Sequence, residues 1–476
     1  MSARSLGTGT AALVRALLPG EEPAGTDAAR LEQLAAALPQ PDAAQSWLLL
    51  AVLDRRLPRS EEVDAFRRQA RHDGLRAAAA TVLAGRRHPA RWLDPPVQVL
   101  ADAVLVDVHD TASSTLATGV QRLARAIGDR WLERGVQLVG WNSARSALVR
   151  VDHGAWREGR RRGALGRAPV VPWGGAYVLT EVVGEGERSA RIQALARCSG
   201  ARTMLVGADA IPLTAAETTG SRMPGVFAKY LAAAAHMDVV AAISGAAAAE
   251  YRGWRAMLPA AGIPGPEVVE VPIAEELGEL DPSARFPAEL RFVVHDEEGA
   301  LPLVLCVGSH EPRKNHQAVL HAAELLWREG RRFSLAFVGG NAWRSEAFRA
   351  RLLELREAGR PVAAHRGVPD AELRWAYRLA RLTVFPSLDE GFGLPVAESL
   401  AAGTPVVTTR YGSTAEIAAE GGCVLVDPRD DRDLAAGIRG LLADDALLAR
   451  LRTEAAARPP RTWDDYALRL WSTLMP

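Results

Sequence analysis

Lysine, asparagine and cysteine are scarce in this chain of 476 residues. The 57 basic residues comprise 55 arginines and two lysines, Lys229 and Lys314, and asparagine occurs three times. The three cysteines, Cys198, Cys306 and Cys423, are widely spaced and odd in number. This spacing predicts neither a disulfide framework nor a zinc site, and it favours a reducing compartment, the cytoplasm.

The chain also lacks an excess of charge of either sign and any long uninterrupted apolar run. Its 57 basic and 57 acidic residues balance, so nothing indicates nucleic acid or an anionic membrane as the partner. The N-terminus has no secretory-signal pattern. The apolar stretch 231–249 contains His236 and Asp238, and we expect a buried helix followed by a strand there. Peripheral attachment at the inner face of the membrane stays open, without a basic amphipathic helix to support it.

The chain does contain a helical start followed by two stretches in which strands and helices alternate. Residues 1–95 carry apolar side chains at three- and four-residue spacing, which predicts an all-α extension. Residues 96–285 begin with a buried-strand run over 97–110 and continue with a helix over 119–135 and further strands. Residues 286–455 repeat the alternation, and residues 456–476 are expected to form a helix that packs back toward the N-terminal domain.

This alternation predicts an α/β protein with two doubly wound, Rossmann-like domains that face each other across a cleft. Open sheets of this kind bind ligands at the carboxyl ends of their strands, so small molecules are expected in the cleft. The role of residues 1–95 stays open between capping the first domain, dimerisation and docking of an acceptor carrier.

A strand-to-helix turn at the start of the second α/β domain predicts an anion site. Gly308 and Ser309 follow a buried strand, and Arg313 and Lys314 precede the next helix. Glycine lets the backbone approach a ligand, and a helix N-terminus with two positive charges favours a diphosphate. In a chain that uses arginine almost everywhere, Lys314 indicates a need for a compact ammonium group. A solvated basic turn is the alternative interpretation.

A second glycine-rich turn precedes another helix of the same domain. Gly391 and Gly393 permit the backbone to bend against a ligand before the helix begins near Leu394. Glu390 precedes the helix, and Glu398 lies about one turn inside it. Carboxylates suit sugar hydroxyls because each offers two acceptor oxygens. Interaction with the helix dipole is an alternative for Glu390, but it does not account for the whole string.

The strings EPRKN, PSLDEGFGLPVAESLAAGTPVV and GSTAEI closely resemble glycosyltransferase family four, whose members are retaining enzymes of the GT-B fold. The resemblance covers about residues 290–455 and extends more loosely back to about residue 100. It implies that Arg313 and Lys314 contact the donor diphosphate and that Glu390 contacts the donor sugar. These three are the expected catalytic residues, and Glu398 is expected on the ribose. The remaining donor-binding residues that it implies are Gly308, Ser309, Arg366, Gly367, Val368, Gly391, Phe392, Gly393 and Leu394, with 366–369 cradling the base.

Three parts of the first α/β domain resemble the same family. Residues 118–122, TGVQR, resemble the string that opens the first helix in one branch, residues 209–212 resemble an Asp-x-Ile-Pro turn, and a serine ends a strand. Many relatives carry histidine just before that aspartate, where this chain has Ala208, and a histidine on an earlier strand end is the candidate substitute. The cleft residues expected from this domain are Gly119, Arg122, His109, Asp209 and Ser244.

The resemblance implies retaining transfer of a hexosyl or deoxyhexosyl unit from a nucleoside-diphosphate sugar to a hydroxyl of a glycan, lipid-linked sugar or secondary metabolite. Fixed cations stabilise the charge on the departing diphosphate, so neither a metal nor another cofactor is expected. The acidic cluster 430–433 is expected to begin a helix rather than to bind metal. A sugar-nucleotide epimerase, a glycan phosphorylase and a non-catalytic sugar-nucleotide-binding scaffold remain alternatives. Homo-oligomer or peripheral-membrane contacts through residues 1–95 stay open, as do the base, the sugar, the acceptor and the linkage.

Overall fold

A computed structural model describes residues 7–85, 95–114, 118–160, 164–278, 295–296 and 299–475. The expected boundary between the two α/β domains, at residues 285 and 286, lies outside these ranges. Two α/β domains flank a cleft, and a layer of helices packs on the first of them.

Five helices begin the chain: α1 Gly7–Leu17, α2 Asp27–Ala37, α3 Ala43–Asp54, α4 Ser60–Asp73 and α5 Leu75–Ala84. The helical spacing of apolar residues runs without a break over 62–85 in the sequence, but the structure divides this stretch, because Gly74 adopts a φ of +82° and ends α4. Helix α3 is apolar on every side and is buried from Ser46 to Leu53, as a fully packed helix must be. It leads into the first α/β domain, where the Arg191 guanidinium donates to the Leu57 carbonyl.

The first α/β domain contains one nine-stranded sheet in the order β1-β5-β4-β3-β2-β6-β7-β8-β9. Its strands are β1 Gln98–Ala101, β2 Val104–Asp107, β3 Gln137–Trp141, β4 Leu148–Val151, β5 Leu165–Trp173, β6 Ala176–Leu179, β7 Arg202–Gly207, β8 Val239–Ala242 and β9 Glu267–Glu270. Its helices are α6 His109–Ser113, α7 Gly119–Leu132, α8 His153–Arg157, α9 Gly186–Cys198, α10 Ile211–Thr214, α11 Met223–Ala234 and α12 Gly245–Arg255.

Two features of this sheet differ from the sequence prediction. The run expected as a single strand is divided, because Asp102 adopts a φ of +53° and turns the chain between β1 and β2. Strand β4 is antiparallel to both of its neighbours, and neither β4 nor β5 was predicted from the sequence. The expectation for residues 231–249 is confirmed, since they include the end of α11 and the buried strand β8.

The second α/β domain contains a parallel sheet in the order β14-β13-β12-β15-β16-β17, the Rossmann strand order. A two-stranded ribbon, β10 His295–Asp296 and β11 Gly299–Ala300, precedes it. The six strands are β12 Leu303–Val307, β13 Ser334–Val338, β14 Val362–His365, β15 Leu382–Phe385, β16 Val406–Thr409 and β17 Cys423–Val426. The helices are α13 His316–Arg328, α14 Glu346–Glu357, α15 Asp370–Leu379, α16 Leu394–Ala401, α17 Gly412–Ala418, α18 Asp431–Ala443 and α19 Asp445–Ala456. Asp430 caps α18 by accepting from two backbone N–H groups, so the acidic cluster begins a helix as expected.

The last helix, α20 Trp463–Leu474, lies against α7 of the first α/β domain. The Trp131 indole donates to the Ala467 carbonyl at 3.0 Å, and the Trp131 and Trp471 rings meet edge to face at 5.1 Å. A buried ion pair of 2.6 Å between Arg458 and Glu275 fixes the point where the chain crosses back. Within the described ranges no helix is long and apolar enough to cross a bilayer.

Candidate active site

Arg313 and Lys314 lie in a tight 3-10 turn, Pro312–Lys314, between β12 and α13. Asn315 ends the turn in the left-handed conformation, with a φ of +58°, which asparagine tolerates better than most residues. Its side-chain amide donates to the Pro428 carbonyl at 2.7 Å. The sequence therefore places two adjacent cations at the carboxyl end of a central parallel strand.

Glu390 bridges both cations. The Lys314 ammonium lies 2.5 Å from one carboxylate oxygen of Glu390, and the Arg313 guanidinium lies 2.9 Å from the other. Only 9% of the Glu390 side chain is exposed. Burial acts to raise the pKa of Glu390, but the charges of Arg313 and Lys314 outweigh burial and lower that pKa to about 2. Glu390 is therefore ionised throughout the neutral range and holds the pair together.

The two glycine-containing turns of this domain are joined by main-chain contacts. Arg313 donates to the Asp389 carbonyl at 2.6 Å, and its own carbonyl accepts from the Leu388 N–H at 2.8 Å. Gly308, with a φ of +148°, lies beside the Lys314 side chain. A Cβ at Gly339 would lie 1.9 Å from the Gly308 oxygen, so glycine is required there, a requirement that the sequence analysis missed.

The first α/β domain closes directly on this turn. The Ser244 hydroxyl donates to the Gly391 carbonyl at 2.6 Å. A Cβ at Gly391 would lie 2.4 Å from the Ala208 oxygen and 3.0 Å from an Asp209 oxygen, so only glycine permits this approach. Burial, against the attraction of Arg313, raises the pKa of Asp209 to about 6.

The string TGVQR opens α7, where its residues fix the first helical turn and contact the second α/β domain. The Gln121 side chain accepts from the Thr118 backbone N–H at 2.9 Å and from its hydroxyl at 3.0 Å, which fixes the first turn. A Cβ at Gly119 would lie 3.1 Å from Leu394, so the helix start packs against α16 of the opposite domain. Arg122, one turn further, points at the same helix.

Glu398 is enclosed by partners from both domains. One of its oxygens accepts from Arg122 at 2.5 Å, and the other accepts from the Tyr377 hydroxyl at 2.8 Å. Burial raises the pKa of Glu398, and Arg122 opposes that rise. Arg122 also lies 3.1 Å from Asp370. A ribose diol at Glu398 would therefore have to share or replace the contact with Arg122.

Arg122, Asp370 and Glu398 border a cavity of about 330 Å³ between the domains, within the size range of small-molecule sites. Its walls include Arg122, Asp370, Leu394 and Glu398. The segment expected to cradle the base lies just before α15: Arg366 and Gly367 are exposed and Val368 is half-buried. Because Asp370 follows directly, the segment reaches the edge of this cavity. Of the other predicted donor residues, Ser309 is half-buried, Phe392 is buried, and Gly393 begins α16 with a φ of +108°.

His109 is not brought to the donor turn. Its Nδ1 accepts from the Trp141 backbone N–H at 2.9 Å, inside the first domain. Burial, with a contribution from Arg188, lowers the pKa of His109 to about 4, so the ring is neutral at neutral pH. The other predicted cleft residues, Gly119, Arg122, Asp209 and Ser244, all face the second domain.

Four residues with contacts at the site were not predicted from the sequence: Asp370, Tyr377, Asp389 and Glu416. Glu416 accepts from the Gly245 backbone N–H at 3.0 Å across the cleft, and it lies in the GSTAEI string, which offered a signal. Asp389 lies in the string PSLDEGFGLPVAESLAAGTPVV, which also offered a signal. Asp370 and Tyr377 are ordinary helix residues in the sequence, and only the fold gives them these partners. No three His, Cys, Asp or Glu side chains in the described part of the chain are grouped so as to hold a metal ion; metal independence stays a prediction.

Comparison with solved structures agrees with this architecture. The chain superimposes on sucrose-phosphate synthase from Thermosynechococcus elongatus with a TM-score of 0.56 and 18% identity, over 79% of this chain and 98% of the other. Two Rossmann-like domains flanking a cleft, one of them closing on a glycine-rich turn of the other, define a GT-B protein.

Residues 289–458 match the sequence model of the family Glycosyl transferases group 1, and this domain of the chain belongs to that family. O-antigen chain mannosyltransferase B from Escherichia coli is 38% identical over 167 residues, which are 34% of this chain and 42% of that protein. The serotype-specific mannosyltransferase WbdA from Escherichia coli is 27% identical over 330 residues, 67% of this chain and 40% of that protein. The chain thus spans less than half the length of these two curated relatives.

Proposed function

We propose that the protein is a retaining glycosyltransferase that acts in the cytoplasm. It transfers a hexosyl or deoxyhexosyl unit from a nucleoside-diphosphate sugar to a hydroxyl of a glycan, lipid-linked sugar or secondary metabolite. The observation that carries the proposal is the pairing of Arg313 and Lys314 with Glu390, next to the turn at Gly391 that the first α/β domain contacts and within the matched domain. The mannosyltransferases among its relatives make a mannosyl donor the first to test.

The charges of this cluster suit both halves of a sugar diphosphate. Arg313 and Lys314 would bind the diphosphate, and Glu390 would turn from the cations to accept hydrogen bonds from sugar hydroxyls. The positive ends of α13 and α16 add to the field at the phosphates. These groups stabilise the negative charge that grows on the leaving group, which is how fixed cations accelerate transfer.

In the proposed reaction the bond between the anomeric carbon and the diphosphate oxygen breaks as the acceptor oxygen bonds to that carbon on the same face. The departing phosphate oxygen takes the acceptor proton. No metal is required for this sequence, because the buried side-chain cations supply the positive charge. Retention rests on the family resemblance and is tested by the anomeric configuration of the product.

A thermal-shift screen of the full chain with UDP, GDP, dTDP, ADP and CMP tests the donor site first, because a ligand that binds only the folded state raises the melting temperature. We expect one nucleoside diphosphate to shift the transition. The matching nucleotide sugars are then assayed for release of the diphosphate and for transfer.

The outcomes separate the alternatives. Diphosphate release with transfer supports the transferase, and binding without turnover supports a sugar-nucleotide-binding scaffold. Conversion of the nucleotide sugar, or of its sugar, into the epimer would point to an epimerase. Absence of any shift at millimolar nucleotide would overturn the proposed donor site.

A further inference from the structure

We propose that the cleft closes with uptake of a proton, which is held by three carboxyl groups where the two α/β domains meet. Asp209 and Glu250 belong to the first domain and Asp389 to the second, and these three form the interface carboxyls. The predicted effect on donor affinity rests on the proposed function, whereas the control of closure by a proton goes beyond it.

The hydroxyl of Thr214, the last residue of α10, lies between two of these carboxyls. It is 3.4 Å from a Glu250 oxygen, 3.4 Å from an Asp389 oxygen and 3.4 Å from the Ala210 carbonyl. A hydroxyl has one hydrogen to donate, and an ionised carboxyl group only accepts. Three acceptors from two domains therefore compete for one hydrogen. A proton on Glu250 or Asp389 supplies a second donor, so the contact between the domains is better satisfied with one proton bound.

Glu250 also holds the segment of the first domain that contacts the donor turn. One of its oxygens accepts from the Ala210 backbone N–H at 2.6 Å, and the neighbouring Tyr251 hydroxyl donates to the Asp209 carbonyl at 3.1 Å. Asp209 lies against Gly391, where an added Cβ would be 3.0 Å from a carboxylate oxygen of Asp209. Glu250 is therefore a positioning residue, which acts on the donor turn through the backbone of residues 209 and 210.

Burial and like charge favour a proton on the interface carboxyls. Burial, with the charges of Asp389 and Asp209 beside it, raises the pKa of Glu250 to about 7. Burial raises the pKa of Asp389 as well, and Arg313 opposes that rise. Further ionisable groups that act on the three carboxyls are Glu390, which is ionised, and Tyr230, Tyr251 and Tyr411, which are neutral because burial raises the pKa of each.

Donor binding would draw on the positive charge that opposes this repulsion. Arg313 is already shared among Glu390 at 2.9 Å, Glu311 at 2.7 Å and the Asp389 carbonyl at 2.6 Å. A diphosphate on Arg313 and Lys314 would add negative charge beside the interface carboxyls, which raises their pKa values further. The complex then takes up a proton. Affinity is greatest below the pKa of the ligand-free protein and falls as the pH rises through the higher pKa of the complex.

Titration calorimetry of the full chain with the nucleoside diphosphate found in the donor screen measures this uptake. The titration is run at pH 7.5 in HEPES and in Tris, whose different ionisation enthalpies report the protons exchanged. A rise of the Glu250 pKa from about 7 to about 8 gives uptake of about half a proton, and a Kd about fourfold higher at pH 8.5 than at pH 7. Binding without proton uptake would overturn the inference and leave the proposed function intact, whereas absence of nucleotide binding would overturn that function.

Glu250→Gln imitates the protonated carboxyl, because the amide oxygen still accepts from Ala210 and the amide nitrogen donates to Thr214. Its proton uptake should fall to less than half, and its Kd should change less than twofold between pH 7 and pH 8.5. Glu267→Gln is the matched control, because Glu267 is exposed on β9, and it should retain the uptake. Asp389→Asn tests the opposite domain and should also lower the uptake. Full uptake in both interface variants would show that the proton lies elsewhere.

Small-angle scattering tests closure without a nucleotide. The radius of gyration of the ligand-free protein should increase from pH 6 to pH 8.5, because the interface carboxyls ionise and repel each other across the cleft. The increase should be absent in Glu250→Gln and present in Glu267→Gln. A role of Glu250 in the fold alone would not make the radius depend on pH. A radius independent of pH in the unaltered protein would contradict the coupling of the proton to closure.

Discussion

Replacing Lys314 with glutamine should remove diphosphate affinity without removing nucleoside affinity. Lys314 is one of two cations paired with Glu390, and its side chain is 11% exposed. At about 4 Å and an effective dielectric of about 20, two opposite unit charges attract by about 4 kcal/mol. Loss of one partner of a buried charge pair costs about 2–5 kcal/mol in measured interfaces. We therefore expect the Kd for the nucleoside diphosphate to rise about 30-fold to about 4,000-fold.

The assay is isothermal titration of the full chain with the preferred nucleoside diphosphate, its monophosphate and the nucleoside. The loss should be largest for the diphosphate and absent for the nucleoside, because the charge acts on the phosphate groups. In the variant, Glu390 keeps its contact with Arg313, so the fold should be retained. Circular dichroism and the melting temperature check that condition.

Lys229→Gln is the matched control, because Lys229 is the chain's only other lysine and lies exposed on α11. It should bind all three ligands as the unaltered protein does. An equal loss of affinity for the nucleoside and the diphosphate in Lys314→Gln would refute the assignment of Lys314 to the phosphates. So would full diphosphate affinity in that variant.

Four further outcomes are expected. Glu398→Ala should raise the donor KM more than it lowers kcat, because the ribose lies away from the reacting bond; an unchanged KM counts against ribose binding. Arg122→Gln leaves Glu398 buried with one partner fewer, so the ligand-free domains should separate, which small-angle scattering would detect as a larger radius of gyration; an unchanged radius contradicts this. Burial raises the pKa of Glu250 to about 7, so the folded state holds an extra proton and loses stability as the pH rises from about 4.5 through 7. Glu250→Gln should therefore raise the melting temperature by about 2 °C or more at pH 8 but not at pH 5, and an equal shift at both would refute the cause. Turnover should be unchanged after dialysis against EDTA, and loss restored by a divalent metal would refute metal independence.

Local patterns in the sequence determined most of the second domain. Buried runs of four to six apolar residues, each followed by a turn and a helix with a 3.6-residue period, fixed the order of strands and helices. The string from Glu311 to Asn315 and the glycine-rich turn around Gly391 indicated the family and predicted the donor residues. These signals are local, because a strand end, a turn and a helix start are adjacent in the chain. Their chemistry can therefore be inferred from the sequence without knowledge of the fold.

Local patterns were insufficient where the backbone departs from the regular strand or helix that the residue pattern predicts. The apolar run around Asp102 looked like one strand, and only the sheet shows that the chain turns there to join two separate positions. The break at Gly74 between α4 and α5 is likewise visible only in the structure. Short antiparallel β4 has no periodic signal strong enough to distinguish it from a loop, and its place depends on hydrogen bonds to β3 and β5.

The tertiary structure alone decided which charges meet. Arg122 and Glu398 are 276 residues apart in the chain and pair at 2.5 Å, and His109, a candidate for the cleft from sequence, is held by Trp141 inside its own domain. The sequence supplies ionisable groups at strand ends and helix starts, and these positions are local properties. Their partners depend on how two domains and their sheets are placed against each other. That placement is set by packing between the domains, which no local pattern encodes.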